Sequence, residues 1–587
     1  MIPYKAPLRD MRFLLNEVLD YPAHYATLPS GKDMDTETLD AILEGAAQLC
    51  EEVLAPLNQS GDQEGCRIEN GVVSTPKGFK EAYQAHQEGG WQSISFPTEF
   101  GGQGLPSSVN LFKTEMMGTA NWSFGMYPGL SVGCINTLLR YGTPVQKQQF
   151  LPKLISGEWS GTMCLTEPHC GTDLAQVSTR AVPQADGSYQ LTGTKIFISA
   201  GEHDLTDNIV HIVLARLPDA PAGTRGISLF VVPKVQVNQA GDLLERNAVN
   251  CGSIEHKMGI RASATAVLNF DAATGFMLFE PNRGLEAMFT FMNTARLGTA
   301  VQGVCHAEAA YQGALPYAKD RRSMRALSGK KEPHQKADAL IWHPDVRRML
   351  LTQKAIAEGG RHMIYASLKI ADHMFDASAT GDEVGYQKFD ADLGFYTPIL
   401  KGFLTELGLE AANLGMQVFG GHGYIQEHGM EQNVRDARIS TLYEGTTGIQ
   451  ALDLLGRKVL LATKGQCVRD FSREMLKLAM PHALRGGQQG RMARSLLRYA
   501  LEWNLMTVSL MLRAAKDKEA VGAASVDYLM YSGYVMMAHS WAQQAATAQA
   551  LIDSGKGRES VDFYRAKIQT AEFYFTRLLP RAQAHRK

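Results

Sequence analysis

Three short segments concentrate the residue types that catalysis and cofactor binding use. The first is 163–173 (MCLTEPHCGTD), the second is 193–201 (GTKIFISAG) and the third is 435–450 (RDARISTLYEGTTGIQ). In the third segment, Glu444 stands between an aromatic residue and a glycine. A carboxylate in apolar surroundings has a raised pKa and is a stronger base, so Glu444 is a candidate proton acceptor. Taken alone, the pair Glu444–Gly445 also fits a surface residue before a turn.

Two glycine-containing stretches have the composition of a phosphate-binding site. Thr446 to Gly448 precede a predicted helix over 449–455, and the free N–H groups at a helix N-terminus can bind phosphate. The stretch 420–423 (GGHG) by itself is more typical of a turn that ends a helix. No strand is followed by GxGxxG, and the sequence contains no P-loop, GxSxG or HExxH motif. The eight cysteines form no CxxC pair, which predicts reduced thiols and no metal site.

The composition is that of an ordinary folded protein without a nucleic-acid coat. The 587 residues allow several domains, and 58 Lys and Arg nearly balance 60 Asp and Glu. No apolar run reaches the ~18 residues of a membrane-spanning helix, and residues 1–20 lack the apolar core of a signal peptide. The sequence therefore predicts a cytoplasmic protein with no stable membrane insertion and no nucleic-acid partner.

The periodicity of apolar residues divides the chain into five segments. Helical spacing extends from about Thr36 to Trp159, and short β-rich runs follow at 188–192, 195–199, 209–214, 227–232 and 265–270. Helical spacing then resumes, with helices starting near Pro344 and Pro398 and a polar loop at 325–341. The predicted segments are an extension (1–35), a helical N-terminal domain (36–160), a β domain (161–280), a helical domain (281–464) and a further helical domain (465–587).

The last segment differs in charge from the rest of the chain. It carries 18 Lys and Arg against 10 Asp and Glu, whereas the remainder is acidic. Solvated basic helix faces explain this excess, and a surface that binds DNA is the open alternative.

The three segments, together with 417–436, resemble the acyl-CoA dehydrogenase family when taken in this order. The resemblance covers about 36–460. Some positions depart from the family pattern: Cys170 and Gln176 replace small residues, Gln432 stands where Lys or Arg is usual, and Asn293 stands where Asp is common. The extension and the last segment resemble the long form of the family, which includes bacterial fatty acyl-CoA dehydrogenases and methylmercaptopropionyl-CoA dehydrogenase.

The resemblance implies a mainly α fold with a central β domain. Its parts are a helical N-domain, a β-barrel-like middle domain, a helical-bundle C-domain and an extra helical domain. It also implies bound FAD, an acyl-CoA substrate, electron-transfer flavoprotein as the electron acceptor, and a homodimer or a dimer of dimers.

The resemblance assigns cofactor contacts residue by residue. Thr166 and Ser199 correspond to residues that bond the flavin ring, and Phe197 stacks near it where many relatives have Trp. Residues 321–323 correspond to a segment that reaches the FAD of a neighbouring subunit, and Gly448 replaces a common Gln. The implied FAD contacts are Met163, Leu165, Thr166, Thr172, Phe197, Ile198, Ser199, Arg321, Arg322, Ser323, Gln417, Gly420, Gly421, Thr446 and Gly448.

The resemblance also implies the chemistry. Glu444 would remove the proton next to the thioester while hydride leaves the neighbouring carbon for the flavin. A flavin ribityl hydroxyl and the backbone N–H of Glu444 would stabilise the enolate oxygen. Some relatives place the base beside the Arg of the long helix, but that neighbour is Ala295 here, which leaves Glu444. The implied substrate contacts are Thr172, Asn293, Arg296, Tyr443 and Gly445.

The length of the acyl group is predicted from the segment 126–133 (MYPGLSVG). By resemblance, this segment forms one wall of the acyl slot, the cavity that holds the acyl tail of the substrate. Because Gly129 and Gly133 have no side chains to close the slot, medium or long fatty acyl groups are favoured, with trans-2-enoyl-CoA as the product in fatty-acid β-oxidation. Alternatives are a 3-methylmercaptopropionyl-CoA dehydrogenase, an acyl-CoA oxidase and the DNA-binding alkylation-response flavoprotein of the same superfamily.

Overall fold

The structure is a computed structural model that describes residues 2–586, and the chain forms two compact units. The continuous unit is Gly45–Gly298. The split unit combines the residues up to Glu44 with those from Thr299 onward. Two helices, Thr36–Gln48 and Gly284–Asp320, carry the chain from one unit into the other.

The continuous unit begins with helices and ends with a sheet. The helices are Pro56–Glu64, Phe79–Glu88, Ser107–Ala120, Trp122–Tyr141 and Pro144–Ser156. The strands are Arg67–Glu69, Val72–Ser74, Trp159–Cys164, Arg180–Pro183, Tyr189–Ser199, Asn208–Ala215, Ser228–Pro233, Val235–Val237, Leu243–Arg246, Val249–Ile254 and Thr265–Leu278.

Seven of these strands form one sheet around the long strand Thr265–Leu278. Its first part pairs with Tyr189–Ser199, and its last three residues pair with Ser228–Pro233. Trp159–Cys164 pairs in parallel with Asn208–Ala215, and the other pairs of this sheet are antiparallel. The sheet therefore connects the start of the first segment, where the strand Trp159–Cys164 ends, with the strand that carries the second.

All five β-rich runs predicted from the sequence overlap strands of this sheet, and only Ser188 and Ile227 fall outside them. The two runs at 188–192 and 195–199 are parts of one strand, Tyr189–Ser199. A small hairpin, Arg67–Glu69 with Val72–Ser74, interrupts the region predicted to be helical. Its turn is Asn70–Gly71, and both residues have positive φ. This dipeptide is a strong hairpin signal that the helical prediction overlooked.

The strands Asn208–Ala215 and Ser228–Pro233 are buried on both faces of the sheet, because consecutive residues enter different cores. Ile212 and Leu229 pack with residues of the helices Trp122–Tyr141 and Pro144–Ser156. Their neighbours Val213 and Phe230 pack in a second core among the strands. This explains why the strand Asn208–Ala215 has no alternation of apolar and polar residues.

The split unit is helical. Its α-helices are Leu8–Arg12, Tyr21–Tyr25, Pro344–Thr380, Glu383–Phe419, Met430–Arg438, Thr447–Leu452, Gln466–Ala483, Gly487–Ala514, Glu519–Ser554 and Val561–Phe573, and π-helical stretches occur at Phe13–Val18, Asp453–Ala462 and Tyr574–Leu578. The predicted class, mainly α with a central β domain, is confirmed. Among residues 2–586, no helix is long and apolar enough to cross a membrane.

The prediction of a helix start near Pro398 is wrong. The helix begins at Glu383 and contains Pro398 in its interior. The Asp382 side chain accepts a hydrogen bond from the Gly385 N–H at 2.9 Å, which is an ordinary N-terminal cap. The proline concealed this start, since proline in the interior of a helix is rare.

Two glycines allow the helices Gly284–Asp320 and Glu383–Phe419 to touch through their backbones. A Cβ at Gly303 would lie 2.2 Å from the carbonyl oxygen of Leu404, and a Cβ at Gly408 would lie 2.4 Å from the Gly303 oxygen. Any larger residue would force the helices apart. The contact fixes the positions of Gln302 on one helix and Lys401 on the other.

A buried group of charges joins the N-terminal extension to the last segment of the chain. Arg361, fully buried, is ion-paired with Asp10 and with Glu308, the latter at 2.9 Å. Lys567, 1% exposed, is ion-paired with Asp10 and with Glu358, the latter at 2.9 Å. Asp10 therefore pairs with two cations that lie far apart in the sequence.

Candidate active site

The third segment lies in the split unit and has an unusual backbone at its centre. Glu444 has φ +57° and Gly445 has φ +90°. A positive φ is uncommon for a residue with a side chain and costs of order 1–3 kcal/mol, so it persists only when surrounding contacts impose it. Glu444 is half-buried.

Two side chains hold successive carbonyl groups of this backbone. The Gln450 amide donates to the Glu444 carbonyl oxygen at 3.0 Å, and Lys401 Nζ donates to the Gly445 carbonyl oxygen at 2.6 Å. Lys401 is fully buried. A Cβ at Gly445 would lie 2.6 Å from Gln450 Nε2, so the turn requires glycine here both for its φ and for space.

Tyr443 is anchored to a buried polar network. Its hydroxyl donates to Gln302 Oε1 at 2.5 Å, and Gln302 Nε2 donates to the Asp436 carbonyl oxygen at 3.3 Å. One helical turn after Gln302, His306 Nδ1 lies 2.8 Å from Asn433 Oδ1. Burial lowers the pKa of His306 to about 4, so its imidazole is neutral at pH 7. The aromatic residue before Glu444 is thus fixed by neutral groups.

The helix after Glu444 starts earlier than the sequence predicted. It begins at Thr447, and the Thr446 hydroxyl accepts a hydrogen bond from the Ile449 N–H at 3.3 Å as its N-terminal cap. The Thr447 hydroxyl donates to Glu406 Oε1 at 2.6 Å. Gly448 is half-buried in the first turn. The second half of the third segment is therefore also attached to the helix Glu383–Phe419.

The glycine-rich stretch after that helix begins with two glycines that are open to solvent. The helix ends at Phe419, and Gly420 has φ +59°. A Cβ at Gly420 or Gly421 would meet nothing within 4 Å, and Gln417 is exposed. The stretch is a helix-ending turn, as its composition indicates, and Gly420 and Gly421 leave a surface without side chains that a ligand can approach closely.

Residues 321–323 begin an ordered loop. Arg321, Arg322 and Ser323 are exposed, and Arg322 Nε donates to Glu332 Oε2 at 2.8 Å. The fully buried carboxylate of Asp338 accepts hydrogen bonds from the backbone N–H groups of Ala326, Lys331 and Glu332. These bonds hold the pKa of Asp338 well below its usual range despite burial. The predicted loop at 325–341 is thus a defined structure.

The first and second segments are neighbours in the continuous unit. The Ile196 N–H donates to the Thr166 carbonyl oxygen at 2.9 Å, and Lys195 Nζ donates to the Leu165 carbonyl oxygen at 3.1 Å. Met163, Leu165 and Thr166 are half-buried. The end of the strand Trp159–Cys164 therefore lies against the strand Tyr189–Ser199, as a shared cofactor-binding edge requires.

A buried ion pair lies beneath this junction. Lys195 Nζ is 2.9 Å from Glu167 Oε1, and the Glu167 carboxylate also accepts hydrogen bonds from the hydroxyls of Ser178 and Thr179. Burial opposes ionisation of Glu167, but these partners outweigh it and lower its pKa to about 2. The possible ligand atoms of Glu167, His169 and Cys170 lie within 4.8 Å of one another, yet the carboxylate is already committed to these partners.

Phe197 is presented to solvent by a β-bulge. The pairing register between Tyr189–Ser199 and Thr265–Leu278 shifts at this point, and Phe197 has φ +59°. Its side chain is 59% exposed, whereas Ile198 is buried opposite Ala266. Ser199 is half-buried and pairs with Thr265. An exposed aromatic ring on a bulge can stack against a planar ligand.

The expected substrate residues of this unit are partly accessible. Thr172 is exposed, and Asn293 and Arg296 are half-buried on the helix that starts at Gly284. The Arg296 guanidinium lies 5.9 Å from the centre of the Phe289 ring. The guanidinium is thereby placed against an aromatic face in an otherwise apolar stretch.

The segment 126–133 is closed at one of its two glycines. Gly129 is exposed and a Cβ there would meet nothing within 4 Å, but a Cβ at Gly133 would lie 2.9 Å from the Phe291 ring. Phe291 is 1% exposed. The Tyr127 hydroxyl donates a hydrogen bond to the Ala262 carbonyl oxygen at 3.1 Å. The premise that Gly133 leaves the slot open is wrong, since Phe291 fills that space.

Four family models match the chain in order. They are described as the acyl-CoA dehydrogenase N-terminal domain (36–158), middle domain (162–273) and C-terminal domain (282–460), and as the acetyl-CoA dehydrogenase C-terminal-like domain (472–587). The chain is also 44% identical over 585 residues to a 3-methylmercaptopropionyl-CoA dehydrogenase of Ruegeria pomeroyi, covering 99% of this chain and 97% of that protein. The chain belongs to the acyl-CoA dehydrogenase family. It is therefore an oxidoreductase that acts on CH–CH bonds.

Other acyl-CoA dehydrogenases are similar over the full length. A broad-specificity linear acyl-CoA dehydrogenase of Mycobacterium tuberculosis is 33% identical, covering 99% of this chain and 96% of that protein. The crystal structure of an acyl-CoA dehydrogenase complexed with FAD from Bacillus anthracis has a TM-score of 0.73 at 20% identity, covering 99% of this chain and 91% of that chain. The predicted long form of the acyl-CoA dehydrogenase family, with an extra C-terminal region, is confirmed.

Sequence reasoning within the acyl-CoA dehydrogenase family missed the residues that support the site. Lys401, Gln302 and Gln450 hold the backbone around Glu444, and Phe291 covers Gly133. One signal was available: Lys401 interrupts an apolar run in a helix, and a buried lysine needs a partner. No local signal marks Gln302 or Phe291, because their contacts join residues that are distant in sequence.

Proposed function

We propose that the chain is an FAD-dependent dehydrogenase of a short acyl-CoA, 3-(methylthio)propanoyl-CoA, and forms its trans-2-enoyl thioester. The observation that carries the choice of acyl group is the Phe291 ring at 2.9 Å from the Cβ position of Gly133. The similarity over nearly the whole length to a 3-methylmercaptopropionyl-CoA dehydrogenase supports the same choice.

The residues of each unit fit FAD. In the continuous unit, exposed Phe197 offers a stacking face. Ser199 ends the strand that carries Phe197, and Thr166, two residues beyond the strand Trp159–Cys164, accepts a hydrogen bond from the Ile196 N–H. In the split unit, the open surface at Gly420 and Gly421 and the helix start at Thr447 suit the adenosine and pyrophosphate parts. When bound, the flavin accepts the hydride that leaves the β-carbon of the acyl group.

Glu444 is proposed to take the proton from the α-carbon. Its carboxylate is half-buried on a backbone that Gln450 and Lys401 hold in the left-handed region. The Glu444 N–H would donate to the thioester oxygen, where negative charge develops as the proton leaves. Arg296 and Asn293 would contact the CoA ester, and Thr172 would contribute from the edge of the sheet.

The acyl slot is proposed to be about one helical turn deep. A side chain at Gly129 would meet no other atom within 4 Å, whereas Phe291 covers Gly133. Gly133 lies four residues after Gly129, which is about 6 Å along the helix. An acyl tail that follows this helix face meets the phenyl ring after a few atoms. A short group is therefore favoured over the medium or long groups that two open glycines would admit.

The phenyl ring also favours sulfur in the tail. The end of a methylthio-propanoyl group is chemically the end of a methionine side chain, and a thioether beside an aromatic ring gains about 0.3–1.5 kcal/mol. Pentanoyl-CoA has the same chain length but carries a methylene in place of sulfur. We expect kcat/KM for the methylthio compound to exceed that for pentanoyl-CoA by roughly 2- to 12-fold, which is that free energy as a rate ratio.

A steady-state series with butanoyl-, pentanoyl-, octanoyl-, palmitoyl- and 3-(methylthio)propanoyl-CoA tests the proposal. We expect kcat/KM to be highest for the methylthio compound and to fall steeply at octanoyl-CoA. A maximum at octanoyl- or palmitoyl-CoA would contradict the proposal. It would favour the medium- or long-chain fatty acyl-CoA dehydrogenase, and the acyl tail would then leave the Gly133 face before reaching Phe291.

Replacing Phe291 should lengthen the slot. Phe291→Ala is expected to raise kcat/KM for octanoyl-CoA relative to butanoyl-CoA by up to ~100-fold, since four buried methylenes are worth about 3 kcal/mol. Phe291→Leu, which leaves a smaller cavity, should give a smaller change in the same direction. The measurement is the ratio of the two kcat/KM values.

Phe150→Ala is the matched control. Phe150 is fully buried in the same hydrophobic cluster as Phe291, so its loss creates a comparable cavity. It should lower stability without changing the chain-length ratio. An unchanged ratio in both Phe291 variants would show that this ring does not limit the acyl group.

Electron-transfer flavoprotein is the proposed acceptor of the electrons. The test reduces the holoenzyme with substrate under anaerobic conditions and follows reoxidation by electron-transfer flavoprotein or by oxygen. Fast reoxidation by the flavoprotein and slow reoxidation by oxygen are expected. The opposite order would identify an acyl-CoA oxidase.

A homodimer is proposed from the resemblance of Arg321, Arg322 and Ser323 to a segment that reaches a neighbour's FAD. The three residues are exposed at the start of the ordered loop, which is compatible with such a contact. Sedimentation of the holoenzyme measures the oligomeric state, and a monomer that keeps full FAD content would contradict the proposal.

A further inference from the structure

We infer that Lys401 is a positioning residue, which fixes the backbone from which Glu444 removes the α-proton. The inference rests on the proposed function, in which Glu444 is the base. It concerns a residue of the helix Glu383–Phe419 that lies more than forty positions before Glu444 in the sequence. Its basis is the contact between a buried cation and the carbonyl group next to the base.

The contact is short, and the cation is fully enclosed. Lys401 Nζ lies 2.6 Å from the Gly445 carbonyl oxygen, and Lys401 is 0% exposed. Burying an ammonium group is costly unless it is hydrogen-bonded, so an apolar residue would be the cheaper way to pack this part of the helix. What a lysine adds over an apolar residue is a hydrogen bond to the turn that carries Glu444.

The turn needs such a bond because its backbone is strained. Glu444 has φ +57° and is followed by Gly445, whose lack of a side chain gives the turn easy alternatives. Gln450 holds the Glu444 carbonyl and Lys401 holds the next one. Fixing two successive carbonyl groups fixes the peptide planes that follow Glu444.

The support behind Lys401 is rigid. Its helix touches the helix Gly284–Asp320 through backbone atoms at Gly303 and Leu404, three residues beyond Lys401. The neighbouring residue of Gly303, Gln302, accepts the hydrogen bond from Tyr443. The two helices in direct backbone contact therefore hold the residues on both sides of Glu444, and Lys401 supplies the bond on the C-terminal side.

Removing the Lys401 bond should act on the proton transfer rather than on binding. Without it, the Gly445 peptide can rotate, and the Glu444 carboxylate loses its fixed distance to the α-carbon. A displacement of about 1 Å costs on the order of 10²-fold in rate. Lys401 itself makes none of the acyl and FAD contacts named above, and of the substrate contacts only Gly445 is bonded to it, so substrate binding should change little.

The test compares the holoenzymes of wild type, Lys401→Met and Lys401→Arg. Lys401→Met is expected to lower kcat by ~10- to 100-fold, with KM and FAD content within about twofold of wild type. The deuterium isotope effect with substrate labelled at the α-carbon should increase, because proton removal becomes slower relative to the other steps. Lys401→Arg, which keeps a cationic donor, should recover part of the lost kcat.

Lys369→Met is the matched control. Lys369 also donates through Nζ to a backbone carbonyl, that of Leu19, in the same unit but away from the third segment. Its loss should leave kcat and the isotope effect at the wild-type values. If Lys401→Met does not fold, Lys401→Gln, a shorter neutral donor, is judged by the same criterion of a selective loss of kcat.

A kcat of Lys401→Met within twofold of wild type, or a loss explained by missing FAD with an unchanged isotope effect, would overturn the inference. Glu444→Gln separates this failure from a failure of the proposed base. If Glu444→Gln is inactive and Lys401→Met is normal, only the positioning role is wrong. If Glu444→Gln keeps turnover, the base itself is wrong.

Discussion

Glu444→Gln should bind FAD normally and lose nearly all turnover. Glutamine keeps the shape and polarity of the side chain, and the contacts of the turn are made by the backbone carbonyls of residues 444 and 445, which the substitution leaves in place. What is lost is the proton acceptor. General-base catalysis contributes about 10²–10⁴-fold, so kcat should fall by at least that range. Anaerobic bleaching of the flavin by substrate measures the effect in a single turnover.

Glu427→Gln is the control for Glu444→Gln. Glu427 is exposed in the same unit and comes shortly before the third segment. Because both substitutions replace a glutamate with glutamine, they change the net charge of the protein equally. It should bleach at the wild-type rate. If the flavin of Glu444→Gln bleached at the wild-type rate, Glu444 would not be the base, and another carboxylate of the split unit would have to accept the proton.

Arg361→Met should destabilise the split unit by about 3–5 kcal/mol. Arg361 is fully buried between Asp10 and Glu308, and breaking a buried ion pair leaves carboxylates without compensation in a medium of low polarity. Met has a similar length, so the loss reflects charge rather than volume. The change is measured as the shift in the urea unfolding transition of the holoenzyme.

An exposed ion pair provides the control for Arg361→Met. Arg473 is paired with Asp470 at 2.6 Å, but the two side chains are 63% and 54% exposed. Exposed pairs contribute about 0–1 kcal/mol, so Arg473→Met should hardly move the transition. Equal shifts for the two variants would mean that the buried charges of Asp10, Arg361 and Lys567 do not hold the extension in place.

The sequence predicted best where one local signal decides the structure. The strand Asn208–Ala215 is an uninterrupted apolar run, and its predicted core, 209–214, lies within it. The helix Pro344–Thr380 begins at the predicted proline. The start of the helix Glu383–Phe419 is not predicted correctly because two sequence signals conflict. Asp382 caps the true start, whereas Pro398, in the interior, resembles the first residue of a helix.

The candidate site was predictable where the resemblance supplies a motif, and elsewhere it was not. The segments around Thr166, Phe197 and Glu444 were recognised from their own residues. Phe291 was not, because its effect depends on a contact with Gly133 that only the packing of two helices creates. A glycine in the sequence indicates room for a ligand only if no neighbouring side chain occupies that room.

The division of the chain has a consequence for its synthesis on the ribosome. Residues 45–298 form a unit without chain breaks, so that unit can fold as it emerges. Asp10 emerges before it, but its partner Lys567 lies 557 residues later. At about 5–20 residues per second, Asp10 waits roughly 30–110 s for that partner. During this interval the first part of the split unit has no completed core, and a chaperone that shields the N-terminal extension would have its longest opportunity to act.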